Sequence, residues 1–274
     1  MLPFDFDFGL HDYADVLSLI FFGREEAMAF IEFKDVVKKF NGVAVLDGVN
    51  LKIEKGDLVC IVGHSGTGKS VTLKHIVRLL SPTSGSVFVD GVDVASCSES
   101  TLTSIRRRIG YLFQGGALLA WKTVGENVAL PLVECTDFSE EEISQRVREA
   151  LEDVELLSSI DKYPSEISGG MLKRAALARA IVRKTDVLLC DEPTSGLDPV
   201  TSMTINNLIR RINKARGITS IVVTHDLKGA FAIADKIVLL DGSRVALCAT
   251  PDDFIQSQNP AAREFVAATQ GGVL

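Results

Sequence analysis

Two apolar periods alternate along this chain. Leu58–Val62 (LVCIV) is a five-residue apolar run, the length of a strand buried on both faces. From Lys69 onward the period changes, and Val71, Leu73, Ile76, Val77 and Leu80 suit an amphipathic helix. The exchange returns late in the chain: helix over 170–183, strand over 187–190, helix over 200–215, strand over 220–223, helix over 227–234, strand over 237–240. Such alternation predicts a mainly parallel sheet with helices on both faces. Earlier, 31–40 and 49–53 read as strands joined through Asn41-Gly42 and a small loop. A strand over 87–89 ends at the Asp90-Gly91 turn, and a further strand covers 109–114. Between about 115 and 166 the pattern is helical. Ser139 and Glu142 make a capping box there, and Phe138 and Ile143 are spaced as a hydrophobic staple. Ile143, Val147, Ala150, Leu151, Val154 and Leu157 then repeat at helical spacing, which reads as a helical insertion in an α/β core.

With 274 residues, 46% of them hydrophobic, the chain has enough material for one large domain with an insertion. We expect that domain over 28–250, an extension over 1–27 and a tail over 251–274. The net charge of −7 provides no global basic field for nucleic acid. The run Arg106-Arg107-Arg108 reads as a solvated helix face. The five cysteines form no C-x-x-C pair, and Cys60 and Cys190 fall inside strand-like runs, so they read as small buried hydrophobes in a reducing compartment. No run approaches the ~18 apolar residues of a membrane span. Residues 1–27 are aromatic and acidic, unlike a signal peptide. Two readings stay open for them: Met28 is the true start, or the segment docks on a membrane or partner.

The apolar run at Leu58 feeds directly into Gly63-His64-Ser65-Gly66-Thr67-Gly68-Lys69-Ser70-Val71. Gly63, Gly66 and Gly68 let the backbone turn its N–H groups inward as a nest for phosphate, and the helix that follows presents its N-terminus to the same place. The spacing fits the P-loop, in which Lys69 reaches the β- and γ-phosphates and the Ser70 hydroxyl ligates Mg²⁺. A second apolar strand delivers Asp191 and Glu192 at its C-terminal end. Asp191 suits the Mg²⁺ shell and Glu192 can deprotonate an attacking water; the alternative is an ordinary helix cap. His225 ends the next strand and either contacts a γ-phosphate or is a surface histidine. Gln114 can ligate Mg²⁺, hold the water or cap the next element.

Ser168-Gly169-Gly170 opens a helix downstream of the P-loop and about twenty residues before Asp191-Glu192. In this order and spacing, residues 31–249 resemble the ATP-binding-cassette (ABC) ATPases. The resemblance implies an α/β P-loop core with a mainly parallel sheet, an N-terminal antiparallel β part and a helical insertion, acting on ATP with Mg²⁺. It implies that Ser168, Gly169 and Gly170 touch ATP held by the P-loop of a second copy, so that two head-to-tail chains sandwich two nucleotides. Phe40 matches the aromatic that stacks on adenine, with a core aromatic as the other reading. Gln114 matches the hinge glutamine, Asp198 the loop that couples the two sites, and His225 the switch histidine. Met171 and Ile167 depart from the usual glutamine and leucine of the signature.

The stretches 113–119, 123–132 and 168–180 resemble the Mla-type phospholipid transporter ATPases more narrowly, and so does the segment from Asn259 to Val266. That likeness implies a multi-span permease docked through 115–132, an MCE-type lipid-shuttling partner and a STAS-domain regulator. The chain would then sit on the cytoplasmic face of the inner membrane. The alternatives are a transporter ATPase for another cargo and a soluble, non-transport ABC ATPase.

Overall fold

A computed structural model of the chain describes residues 29–270. Both readings of the N-terminal extension concern residues 1–28 and lie outside them.

β1 (Ile31–Phe40), β2 (Val43–Ile53), β4 (Ser84–Val89) and β5 (Val92–Asp93) form an antiparallel sheet in the order β2-β1-β4-β5. The second sheet takes the order β10-β9-β3-β8-β7-β6, from β3 (Leu58–Val62), β6 (Ile109–Leu112), β7 (Val187–Asp191), β8 (Thr219–Val223), β9 (Lys236–Asp241) and β10 (Arg244–Ala249). All its neighbours pair parallel except β9 and β10. β3 lies between β9 and β8, so the loop after β3 emerges in the middle of the sheet's C-terminal edge, where open α/β sheets hold ligands.

Strand alternation divides the apolar runs between two cores. Leu58, Cys60 and Val62 of β3, with Leu188 and Cys190 of β7, join one cluster. It is covered by α3 (Val124–Val133), α4 (Glu140–Asp153), α5 (Gly169–Ile181), α6 (Pro199–Arg216), α7 (Leu227–Ile233), α8 (Pro251–Gln256) and α9 (Pro260–Gln270). Val59 and Ile61, with Val187 and Leu189, face the other way, toward α1 (Lys69–Ile76), α2 (Glu99–Arg107) and the antiparallel sheet. Cys60 and Cys190 are fully buried, and burial pushes both thiols well up, which leaves them unreactive hydrophobes.

Several local features differ from expectation. Asn41 and Gly42 both take left-handed φ (48° and 83°), which closes a two-residue hairpin and lets β2 begin at Val43, six residues before the expected start. β10 was not anticipated; the turn at Gly242 and Ser243 folds it back on β9. α1 ends at Ile76, because Arg78 turns left-handed (φ 47°) and leaves Leu80 beyond the helix. Of the arginine run only Arg107 is fully solvated. Arg106 donates to the Val77 and Arg78 carbonyls, and Arg108 bridges Asp90 and Asp186.

Within the helical part, capping boxes start both α3 (Thr123 with Glu126) and α4 (Ser139 with Glu142). The turn before α3 is tied by Asn127, wholly buried, which accepts from the Leu119 N–H at 2.7 Å and donates to the carbonyls of Leu119, Lys122 and Thr123. Asn127→Ala leaves these backbone groups without their partner, so unfolding free energy in urea should fall by about 2–3 kcal/mol. A loss below about 0.5 kcal/mol would mean that the turn holds itself.

Asp235 ties α6 to the sheet. Its carboxylate accepts from Arg210 and Lys214 and from the Leu58 N–H. Burial works to raise its pKa, but these partners outweigh it and hold the group at about 2. A depressed carboxylate stabilises the fold above its unfolded value of about 4, and that contribution disappears as pH falls through 2. The group is partly solvated, so the screened contribution is about 1 kcal/mol. Thermal melts from pH 5 to 2 should therefore show a steeper acid loss in the wild type than in Asp235→Asn. Parallel acid limbs would contradict this. Among the described residues no helix is long and apolar enough to cross a membrane.

Candidate functional site

The loop from Gly63 to Gly68 joins β3 to α1 and curls around the Lys69 side chain. Lys69 Nζ donates to the Gly63 carbonyl at 2.8 Å and the His64 carbonyl at 3.0 Å. Burial holds this ammonium below the usual lysine range, partly offset by Glu192 and then Asp191. Gly68 sits at φ 95°, and a Cβ there would meet Leu46 Cδ2 at 2.7 Å and the Val45 carbonyl at 2.8 Å. Only glycine lets the loop lie this close to β2.

The two carboxylates follow β7. Asp191 is buried and accepts a hydrogen bond from Ser70 Oγ at 2.7 Å, which joins the start of α1 to the end of β7. Glu192 stands at φ 48°, in the left-handed region, held by its own N–H bonding to the Val223 carbonyl. Such strain on a non-glycine residue concentrates at functional sites. The turn separates the neighbouring carboxylates: Asp191 faces Ser70, while Glu192 Oε2 lies 2.8 Å from His225 Nδ1. The Glu192 side chain is 13% exposed and that of His225 69% exposed.

Ser65, Gly66, Gly68, Lys69, Ser70, Val71, Gln114 and Glu192 line one cavity of about 270 Å³, together with Val45. The sequence pointed to all of these except Val45, which comes from β2 and carries no local signal. Gln114 lies just past β6, and Lys173 of α5 donates to its carbonyl. Arg179, on the same helix, donates to the Gly116 and Ala117 carbonyls at 2.6 Å each. Lys173 and Arg179 were not singled out by their chemistry; their spacing of six along a helix is the only local clue. His64 meets Phe265 of α9 edge-on, with ring centroids 5.3 Å apart.

Other expected residues lie away from this cavity. Phe40 ends β1 as a residue 42% exposed, with Lys38 over its ring, so it is not a core aromatic. Ser168 caps α5 by accepting from the Met171 N–H. Gly169 and Gly170 follow, and a Cβ on Gly170 would meet Thr201 of α6 at 2.6 Å. Asp198 caps α6, accepting from the Val200 and Thr201 N–H groups; its hydrogen bonds with Thr201 hold its pKa below the ordinary range. Neither the α5 cap nor Asp198 lines the P-loop cavity. His225 lines a separate cleft of about 460 Å³ with Ser195, Gly196, Leu197 and Met203.

The Ser70 hydroxyl and the Asp191 carboxylate are adjacent oxygen donors beside a phosphate-type loop. No cluster of three or more His, Cys, Asp or Glu able to hold a metal occurs among the described residues. Few protein oxygens next to a phosphate nest suit Mg²⁺, which keeps most of its shell as water and substrate phosphate.

The sequence profile of one family, described as ABC transporter, matches residues 46–195, more than half of the chain. The chain belongs to the ABC transporter family. The methionine import ATP-binding protein MetN of Carboxydothermus hydrogenoformans is 43% identical over 225 residues, which are 82% of this chain and 66% of that protein. A probable ribonucleotide transport ATP-binding protein, mkl, of Mycobacterium leprae is 40% identical over 244 residues, 89% of this chain and 70% of its own. This ABC chain thus spans about two thirds of the length of such relatives. Among solved structures, the ATP-binding cassette MJ0796 in a dimeric, post-hydrolysis state bound to ADP and Pi superposes with a TM-score of 0.74 at 35% identity, covering 81% of this chain and 98% of that one. CbiO1 from Clostridium perfringens gives 0.78 at 28% identity over 89% and 97%. As an ABC ATPase the chain uses ATP with Mg²⁺ and hydrolyses it in step with transport. These relatives are named for methionine and ribonucleotides, whereas the likeness of 113–132 and 168–180 pointed to phospholipid.

Proposed function

We propose that this chain is the ATP-hydrolysing subunit of an ABC importer for a small polar solute, working as a dimer on a separate multi-span permease at the cytoplasmic face of the membrane. The convergence of Lys69, Ser70, Asp191 and Glu192 at the C-terminal edge of the sheet carries this reading. On ATP binding, Lys69 exchanges its two loop carbonyls for phosphate oxygens. Ser70, Asp191 and Gln114 would hold Mg²⁺, which would neutralise phosphate charge. Glu192 takes the proton of the attacking water, and His225, its hydrogen-bond partner, orients it toward the γ-phosphate. Phe40 offers an exposed ring for adenine. As the resemblance to the ABC ATPases implies, Ser168, Gly169 and Gly170 of a second copy reach each nucleotide and Asp198 couples the two sites; their lying outside the P-loop cavity of their own chain fits this. The cargo follows from the names of the relatives.

A second reading, a phospholipid transporter with an MCE-type partner and a STAS-domain regulator, rests on the stretches 113–119, 123–132 and 168–180 and on the segment from Asn259 to Val266. Purifying the tagged chain from its native membranes in mild detergent distinguishes the two. A permease recovered with a soluble-solute receptor supports the importer, and an MCE protein with co-purified phospholipid supports the second reading. A soluble dimer with no membrane partner would overturn both.

A further inference from the structure

Tyr111 has a buried hydroxyl with no partner at ordinary hydrogen-bond distance among the described residues, and the carboxylate it interacts with is that of Asp191. Its position explains what that hydroxyl is for. In the parallel pairing of β6 with β7, Tyr111 stands opposite Leu189. Leu189 points to the face of the sheet covered by α1, and Tyr111 packs into the same cluster. Asp191, two residues beyond Leu189, points to that face as well, where it meets Ser70 of α1. Phe113 stacks on the Tyr111 ring at 4.2 Å between centroids, with the planes inclined by 23°, and fixes the ring's direction. Burial first, and then the charge of Asp191 and a hydrogen bond directed at its carboxylate, push the phenol's pKa well up, so it stays protonated and able to donate.

We propose that Tyr111 is a positioning residue for Asp191, directing its hydroxyl at the carboxylate and holding it in orientation beside Ser70 and a bound cation. Asp191 also accepts from Ser70 Oγ. A carboxylate accepts several hydrogen bonds, so the Tyr111 hydroxyl can steady Asp191 both with Ser70 as its other partner and when Ser70 Oγ turns to a bound cation. A partner of this kind fixes the direction of a ligating group. This inference rests on the reading of Ser70 and Asp191 as metal ligands.

Tyr111→Phe removes only the hydroxyl and keeps the stacked ring. Manganese affinity is measured by electron paramagnetic resonance with a non-hydrolysable ATP analogue. ATP affinity in EDTA and the melting temperature are measured alongside. In the variant we expect manganese to bind about tenfold more weakly. Metal-free ATP affinity should be unchanged, and turnover should recover at high Mg²⁺. Manganese binding within twofold of wild type would overturn the proposal. So would a matched loss of metal-free ATP affinity and melting temperature, which would assign the hydroxyl to packing. If the wild type binds no manganese with the analogue, the metal-ligand reading fails, and this proposal fails with it.

Discussion

Glu192→Gln should lower ATP turnover by about 10²–10⁴-fold while ATP still binds. The substitution is nearly isosteric, and an amide at φ 48° is no more strained than the carboxylate it replaces. It also keeps a hydrogen-bonding partner for His225 Nδ1, 2.8 Å away. What it removes is the ability to accept a proton from water. Ser70 and Asp191 remain paired on the other side of the turn. Phosphate release at saturating ATP, together with nucleotide affinity by calorimetry, separates chemistry from binding. Turnover within threefold of wild type would mean that another group takes the proton.

Lys69→Ala should act on binding instead. The ammonium is buried, bonded among the described residues to the Gly63 and His64 carbonyls, and held below its usual pKa by that burial. Its removal should cost the empty protein little stability. Its charge-assisted bonds to phosphate are worth about 1.5–3 kcal/mol, so ATP affinity should fall roughly 10–100-fold. In thermal melts the variant should match the wild type without nucleotide and lose most of the ATP-induced rise. An undiminished rise would remove Lys69 from the nucleotide site.

The parts of this site that could be read from sequence are those made by contiguous residues. Gly63 to Ser70 carries its own turn, nest and helix start, and Val187 to Glu192 announces both the buried strand and the carboxylates at its end. The face-splitting of LVCIV also follows from strand alternation alone. What could not be read depends on which strands become neighbours. The Ser70–Asp191 bond spans 121 positions and exists because β8 lies between β3 and β7. The hydrogen bond between Glu192 and His225 arises where the turn after β7 swings one carboxylate toward the end of β8, and the sequence gives the two residues separate tasks. Val45 reaches the cavity only because Gly68 lets the loop press against β2. Tyr111 becomes interesting only once its register with Leu189 is known. Turn chemistry was the other blind spot. The Asn41-Gly42 turn starts β2 at Val43 and not at Val49, and the turn at Gly242 and Ser243 adds β10, which apolar periodicity alone does not reveal.

The central claim is that one ATP site is built from two copies of this chain, and the mass of Glu192→Gln in solution tests it most directly. By light scattering, the variant should run as a monomer without nucleotide and at twice the chain mass with ATP, since bound nucleotide is no longer hydrolysed. With Lys69→Ala added it should stay monomeric. Glu192→Gln remaining monomeric at an ATP concentration shown by calorimetry to saturate it would contradict the shared site.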